Sequence, residues 1–364
     1  MTANHEERVR YPETADPVTT DGRDVDSAMA VLGGEAAQQC AEHSDWRLES
    51  IAPAPWDRVP EITGADPSYY DRPMLKPSVW SLDIPIYYFL GGAAGASLVL
   101  GAALQLMCPV ERREVRRLAA VCHWIGIAGS SGGAAFLVHD LGRPLRFLYM
   151  MRVFRPTSVM NMGVWILSGA APTAIATGLL INRRGWPGAI GELCGYLSGI
   201  FGAALAGYTG VLVSATAIPV WQASRRWVPV MFMASSAASA ASVLEIASGS
   251  EPARRAAIIL GTAGRAAELA AARRVEQVAS VVPKVGEPFR RGGTAVLWKA
   301  ATLSTAASLA LSLAAGKSRK RAIAAGVLGV VGSLCLRLAV HYISAASARD
   351  PRAAFHQQRA GATC

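Results

Sequence analysis

Ten ionisable side chains stand inside or beside long apolar runs: Asp83, His123, His139, Asp140, Glu192, Glu245, Arg265, Glu268, Arg337 and His341. A charge in such surroundings is costly unless it is paired or hydrated, so each is a functional candidate. Asp83 opens one run and Tyr87 follows one turn later, so a helix would aim both into one lumen. The plain alternative is an N-cap aspartate with an interfacial tyrosine. His139 and Asp140 close the next run and could exchange protons at physiological pH, or Asp140 could simply pair with Arg143 or Arg146. Glu245 lies in a stretch of Ala and Ser, where it is either a neutral acid bonded to a serine or a station for protons. Arg265 and Glu268, three residues apart, read as a buried pair. Arg337 and His341 read as snorkelling groups near the end of the last run. Glu192, Glu245 and Glu268 are the proton-path candidates.

Other chemistries find no support. The six cysteines show no Cys-x-x-Cys spacing, so neither a zinc nor an iron–sulfur site is expected, and no disulfide framework follows. His123 and His139 fall near opposite ends of one run, a poor arrangement for bis-histidine haem. No phosphate-binding loop or nucleophile triad is present. No catalytic or metal-binding residue is expected in this chain.

The elements that must carry these residues are apolar helices. Of 364 residues, 52% are hydrophobic and only 17% charged, with a mean hydropathy of +0.28. Soluble domains carry about 25% charged residues. Eight runs approach the roughly 20 residues that a bilayer-crossing helix needs: 84–106, 118–139, 159–181, 190–217, 228–248, 254–272, 294–315 and 322–346. The sixth is the least apolar, and lying along the interface is its alternative. Basic clusters punctuate the gaps but do not fix the orientation, because both sets of loops are basic. The net charge of +10 is therefore no sign of nucleic-acid binding. The first 30 residues lack a charged n-region followed by an apolar core, so no cleavable signal is expected.

Residues 1–80 differ in kind, with 15 acids against 7 bases and 8 prolines. They read as a largely disordered tail, in which Trp46, Trp56, Tyr69 and Tyr70 are isolated aromatics. Residues 347–364 read as a polar C-terminal tail.

The chain also repeats itself. "IPIYYFLGGAAGASLVLGAA" (84–103) aligns with "VPVMFMASSAASAASVLEIA" (228–247) at an offset of 144. The offset spans four runs, an even number, so both halves should have one orientation. The expected fold is an all-α membrane protein of eight transmembrane helices, arranged as two pseudo-symmetric four-helix bundles.

The segment "HDLGRPLRFLYMMRVFRPTSVMNMGVW" (139–165) places four arginines, an aspartate and a histidine between two apolar runs. Its "DLGRPLRF" and "RPTSVMNMGVW" resemble the connector between the second and third helices of the NrfD/PsrC family, the quinol-interacting membrane subunits of polysulfide-reductase-like complexes. "YYFLGGAAGASLVL", "YTGVLVS" (208–214) and "GVVGSLCLRLAV" (329–340) are similar too, so the resemblance spans about 81–346. It implies a multi-pass subunit in the plasma membrane of a bacterium, without haem or iron–sulfur cluster of its own, that binds menaquinone or another exchangeable quinone. It also implies an iron–sulfur (ferredoxin-like) partner, which passes electrons to or from a molybdopterin catalytic subunit. By position the quinone-binding residues would be Asp83, Tyr87, His139, Asp140, Arg143 and Tyr208. A relative has histidine in place of Tyr87. A phenol donates a hydrogen bond well but accepts protons poorly at neutral pH. A secondary transporter, suggested by the repeat and Glu245, and a purely structural anchor are the alternatives.

Overall fold

The computed structural model describes residues 80–362 except 108–112, 143–144, 248–249 and 317, together with Pro73, Leu75 and Lys76. In the preceding tail it describes one two-residue antiparallel ribbon, Val25–Asp26 with Val31–Leu32. Trp46, Trp56, Tyr69, Tyr70 and Arg143 lie outside the described residues.

Everything else that is regular is helical. The long helices are α1 (Asp83–Met107), α2 (Arg113–Asp140), α4 (Val159–Leu180), α5 (Trp186–Ser214), α7 (Trp227–Ala247), α8 (Glu251–Ala279), α10 (Gly292–Ala314) and α11 (Arg319–Arg349). Short helices α3 (Leu145–Met150), α6 (Pro219–Ala223) and α9 (Pro283–Gly286) connect them, and α12 (Pro351–Ala362) follows the last. Residues expected as a polar C-terminal tail thus continue α11 and form α12. Because the long helices alternate in direction, α3, α6, α9 and α12 all gather at one end.

Seven of the long helices are long and apolar enough to cross a membrane, one fewer than the eight runs expected. The exception is α8, the doubtful sixth run, which includes Arg254, Arg255, Arg265, Glu268, Arg273, Arg274 and Glu276. Yet α8 lies alongside α7, with Arg265 and Glu268 buried against protein. Those two charges are sheltered by neighbouring helices rather than offset by apolar residues of α8, and composition alone cannot register that.

Helix contacts repeat as the sequence does. α1 packs on α2 and α5, and α4 on α2 and α5; in the same way α7 packs on α8 and α11, and α10 on α8 and α11. The halves meet where α7 packs against α1 and α5, and α1 crosses its own counterpart α7. There the Tyr88 ring stands edge-on to Phe232, with centroids 6.0 Å apart, and a Cβ on Gly92 would come within 2.6 Å of Ser236 Oγ. Each pair is separated by the 144-residue offset. A residue that touches its own counterpart is what a two-fold axis between like surfaces produces.

Small residues let the backbones close up. Gly126 and Gly129 bring α2 against Leu98, Leu90 and Ala94, while Gly261 and Gly264 bring α8 against Ala241 and Ala238 with the same spacing. On α1, a Cβ at Gly95 would strike the Gly202 carbonyl and the backbone of Ala206, which have no flexible atoms to yield. Gly95→Val is therefore expected to lower stability by about 1–3 kcal/mol, read as a reduced melting temperature in detergent. Gly293→Ala, whose Cβ would meet nothing within 4 Å, should leave it unchanged.

Candidate functional site

At the end where the short helices gather, four chain segments converge: the start of α1, the end of α2, the start of α4 and the end of α5. Ser81 ties the first two together. Its backbone N–H donates to Asp140 Oδ1 at 3.0 Å, and its hydroxyl donates to the same oxygen at 2.6 Å. The hydroxyl oxygen also accepts from the Asp83 backbone N–H, so Ser81 caps α1 while anchoring it to α2. Asp83 Oδ2 meets His139 Nδ1 at 2.7 Å, completing a four-residue rim. The His139 side chain is 80% exposed and Asp83 20%. His139 therefore faces outward, away from the interior that Asp140 overlooks.

Beneath this rim lies a cleft with about 60 Å³ of free space. Its walls are apolar: Trp80, Ile84, Leu137, Leu141, Val164 and Leu212, with Met150 and Met160 beside them. The polar groups are Asp140 and three tyrosines, Tyr87, Tyr88 and Tyr208. The Tyr88 hydroxyl is buried without a hydrogen-bond partner. Apolar walls with a few convergent donors are the usual composition of a site for a flat organic ligand. The free space is below the roughly 300 Å³ of a typical small-molecule pocket, and Met150 and Met160, which border it, are flexible side chains.

Tyr208 owes its position to Gly163, since any Cβ there would overlap the phenol ring. The connector above the cleft is equally determined. Gly142, with φ of 66°, ends α2, and its N–H donates to the His139 carbonyl at 3.1 Å. Asn161 then pins the far side of the connector. Its amide donates to the carbonyls of Met150 (2.7 Å) and Val153 (2.9 Å), and its Oδ1 accepts from the Arg155 N–H at 2.7 Å. Ser158 caps α4 by accepting from the Asn161 N–H.

Of the residues singled out in the sequence, Tyr87, Asp140 and Tyr208 line the cleft, and Asp83 and His139 pair at its rim. Glu192 lies at the opposite end, half-exposed and 3.3 Å from Arg116. Asp140 takes Ser81 as a partner, a residue not singled out beforehand; nor were Trp80, Tyr88, Asn161 and Gly163. The Ser-x-Asp spelling before α1 and the Asn and Gly inside the arginine-rich segment were the available signals.

Three expectations need correction. Arg265 pairs with Glu245, at 2.7 Å, and not with Glu268 three residues away. Glu245 also accepts from Ser312 at 2.6 Å, so it is an ion-paired carboxylate rather than an isolated acid on a serine. Arg337 does not snorkel. It is 1% exposed, with its guanidinium 3.8 Å over the Phe232 ring, because α11 runs on for three more turns and α7 covers it. His123 is buried, His341 partly so, and no cluster of three or more potential metal ligands occurs among the described residues.

Asn161→Ala leaves two carbonyls of the connector without donors. Trypsin should then cut after Arg152 faster, by roughly tenfold for each 1.4 kcal/mol of lost local stability, while the helices stay intact. An unchanged cleavage rate would show that Asn161 does not hold the connector.

The protein-family model described as "Polysulphide reductase, NrfD" matches residues 72–346, a stretch that includes the rim, the cleft and the connector. No curated protein matches the chain. With seven membrane-crossing candidates and a match over most of its length, this multi-pass membrane protein belongs to the NrfD family.

Proposed function

We propose that the chain is the quinone-reactive membrane subunit of a multi-subunit oxidoreductase. The cleft would take the head of menaquinone or a similar quinone, and electrons would pass between it and an iron–sulfur partner that serves a molybdopterin catalytic subunit. In this reading α8 is an eighth crossing, the complex sits in the plasma membrane of a bacterium, and the chain is not an enzyme on its own.

One observation supports the reading above others: three tyrosine hydroxyls and a carboxylate converge on a greasy cleft directly under a polar connector. Family membership points the same way. A quinone supplies a two-electron, two-proton carrier that dissolves in lipid; the chain must bind it, orient it and handle its protons. The apolar walls hold the ring and exclude water. The hydroxyls of Tyr87, Tyr88 and Tyr208 are donors suited to its carbonyl oxygens. Asp140, held through Ser81 at the rim, is placed to exchange a proton between the cleft and water, with the Asp83–His139 pair beside it. Arg143, by its place in the motif, belongs to the same connector and would serve the partner or the quinone. The crowding of α3, α6, α9 and α12 at this end makes it the face for partner docking, where electrons have the shortest path.

Asp140→Asn is expected to cut quinol-linked electron transfer by at least tenfold while the subunit still inserts and co-purifies with its partner. Tyr208→Phe, which keeps the ring over Gly163, should raise the KM for quinol with little loss of assembly. The measurement is quinol oxidation, or quinone reduction, by the purified complex. Unchanged kinetics in both variants would remove the quinone assignment. A lone subunit that binds a solute with an ion, and carries no iron–sulfur protein, would favour a transporter instead.

A further inference from the structure

The end of the bundle that holds the cleft also carries cations that no acid of the fold neutralises. Arg225 and Arg226 stand between α6 and α7, Arg273 and Arg274 near the end of α8, and Arg290 just before α10. All five are exposed, and no carboxylate among the described residues pairs with any of them. The acids of this end are engaged elsewhere. Asp83 meets His139, Asp140 takes both donors of Ser81, and Glu276 accepts from the Trp298 indole. Glu287 pairs with Lys284 and Arg291, and Asp350 accepts from the backbone N–H groups of Arg352 and Ala353. The five arginines therefore form a positive surface without internal compensation, the kind that attracts an acidic partner.

The chain carries such anions in its own beginning. Residues 1–71 hold 15 Asp and Glu against 5 Lys and Arg, and they precede the stretch that the family model matches. Their point of attachment is fixed. Ser81 is bonded to Asp140, Trp80 lines the cleft and stands edge-on to Tyr88 at 6.4 Å, and Leu75 is half-buried against the core. The acidic stretch thus joins the bundle at the arginine-bearing end. The 144-residue offset sets Arg225 and Arg226 level with Ser81 and Leu82. Leu82 and Arg226 each precede the Tyr88–Phe232 contact by six residues, so each lies about 9 Å along its helix from that contact. Asp71, Asp66, Glu61 and Asp57 precede Ser81 by 10 to 24 residues. Ten residues of extended chain already span about 33 Å. Trp56, Tyr69 and Tyr70 lie among these acids, and arginine stacks well on such rings.

We propose that residues 1–71 dock on the arginine surface of the second half, with Arg225, Arg226 and Arg290 as its centre. Single exposed carboxylate–arginine pairs contribute little, so the contact depends on several made together from one tether. Docking does not depend on what the cleft binds. On the quinone reading it has a consequence for the iron–sulfur partner. With the second half covered, Arg152 and Arg155 of the connector remain as basic surface at this end, beside the cleft.

The full-length chain in its complex tests this, with photo-reactive p-benzoylphenylalanine in place of Trp56 or Tyr70. Light should join these positions to peptides of the same chain that contain Arg225 and Arg226, or Arg290, as read by mass spectrometry. In about 1 M salt, where charges are screened beyond about 3 Å, most of that product should disappear. Trypsin gives a second readout. It should cut after Arg47 and Arg58 about tenfold faster in the triple variant Arg225→Ser, Arg226→Ser, Arg290→Ser than in the wild type. Lysine at the same three positions should restore the protection. Cross-links solely to the iron–sulfur partner, to a second copy or to lipid overturn the docking, as does the absence of any cross-link. A yield indifferent to salt, or equal cleavage of the wild type and the triple variant, overturns it too. Should the triple variant fail to assemble, the salt series on the photo-reactive chain decides. Neither readout uses quinol turnover, so an inactive complex would remove the quinone assignment and leave the docking standing.

Discussion

In a bilayer nothing outside the protein will hydrogen-bond a buried group, and every feature of this fold answers to that constraint. Helices satisfy their own backbones, and glycine lets them approach until side chains on one can reach carbonyls on another. Ser236, for example, donates to the Ala206 carbonyl of α5 at 2.9 Å. Close approach is therefore what makes buried polarity tolerable. A bundle held apart by larger residues would leave Arg265 and Glu268 without shelter, and α8 would have no place beside α7.

The same constraint separates the two halves in chemistry while leaving them alike in packing. In the first, polar groups collect at one end, where α1, α2, α4 and α5 enclose a cleft open to a ligand. In the second, charges run deep, and that end is closed by aromatic packing. Trp221 is fully buried, its indole N–H donating to Ser344 at 2.5 Å, and it abuts Phe289, which stacks edge-on to Trp298 at 4.7 Å.

Much of this was legible in the residues. Run length and composition located all the long helices, because span length is dictated by bilayer thickness rather than by tertiary context. The 144-residue offset led to the expectation of two like bundles, and the helix contacts of one half recur in the other. The arginine-rich stretch marked the site, since such polarity between apolar runs needs a reason. Partnership was harder to read. Arg265 and Glu268 sit on one face of a helix, yet the choice between Glu268 and Glu245 depends on how α7 lies against α8, which spacing along one helix cannot reveal. Arg337 was misjudged for a like reason: snorkelling assumes a helix end, and the helix continues. Ser81 escaped notice because its work is done across two helix termini that the sequence places 59 residues apart.

The contact of Tyr88 with Phe232, and the place of Tyr87 opposite Met231 in the repeat, has a chemical meaning. Phe232 keeps the ring of Tyr88 without its hydroxyl, and Met231 has neither ring nor hydroxyl where Tyr87 has both, so the second half offers no phenol at these two positions. At Gly101 and Glu245 the exchange runs the other way, with an acid present in one copy only. Differences confined to such positions let a symmetric scaffold carry out an asymmetric task.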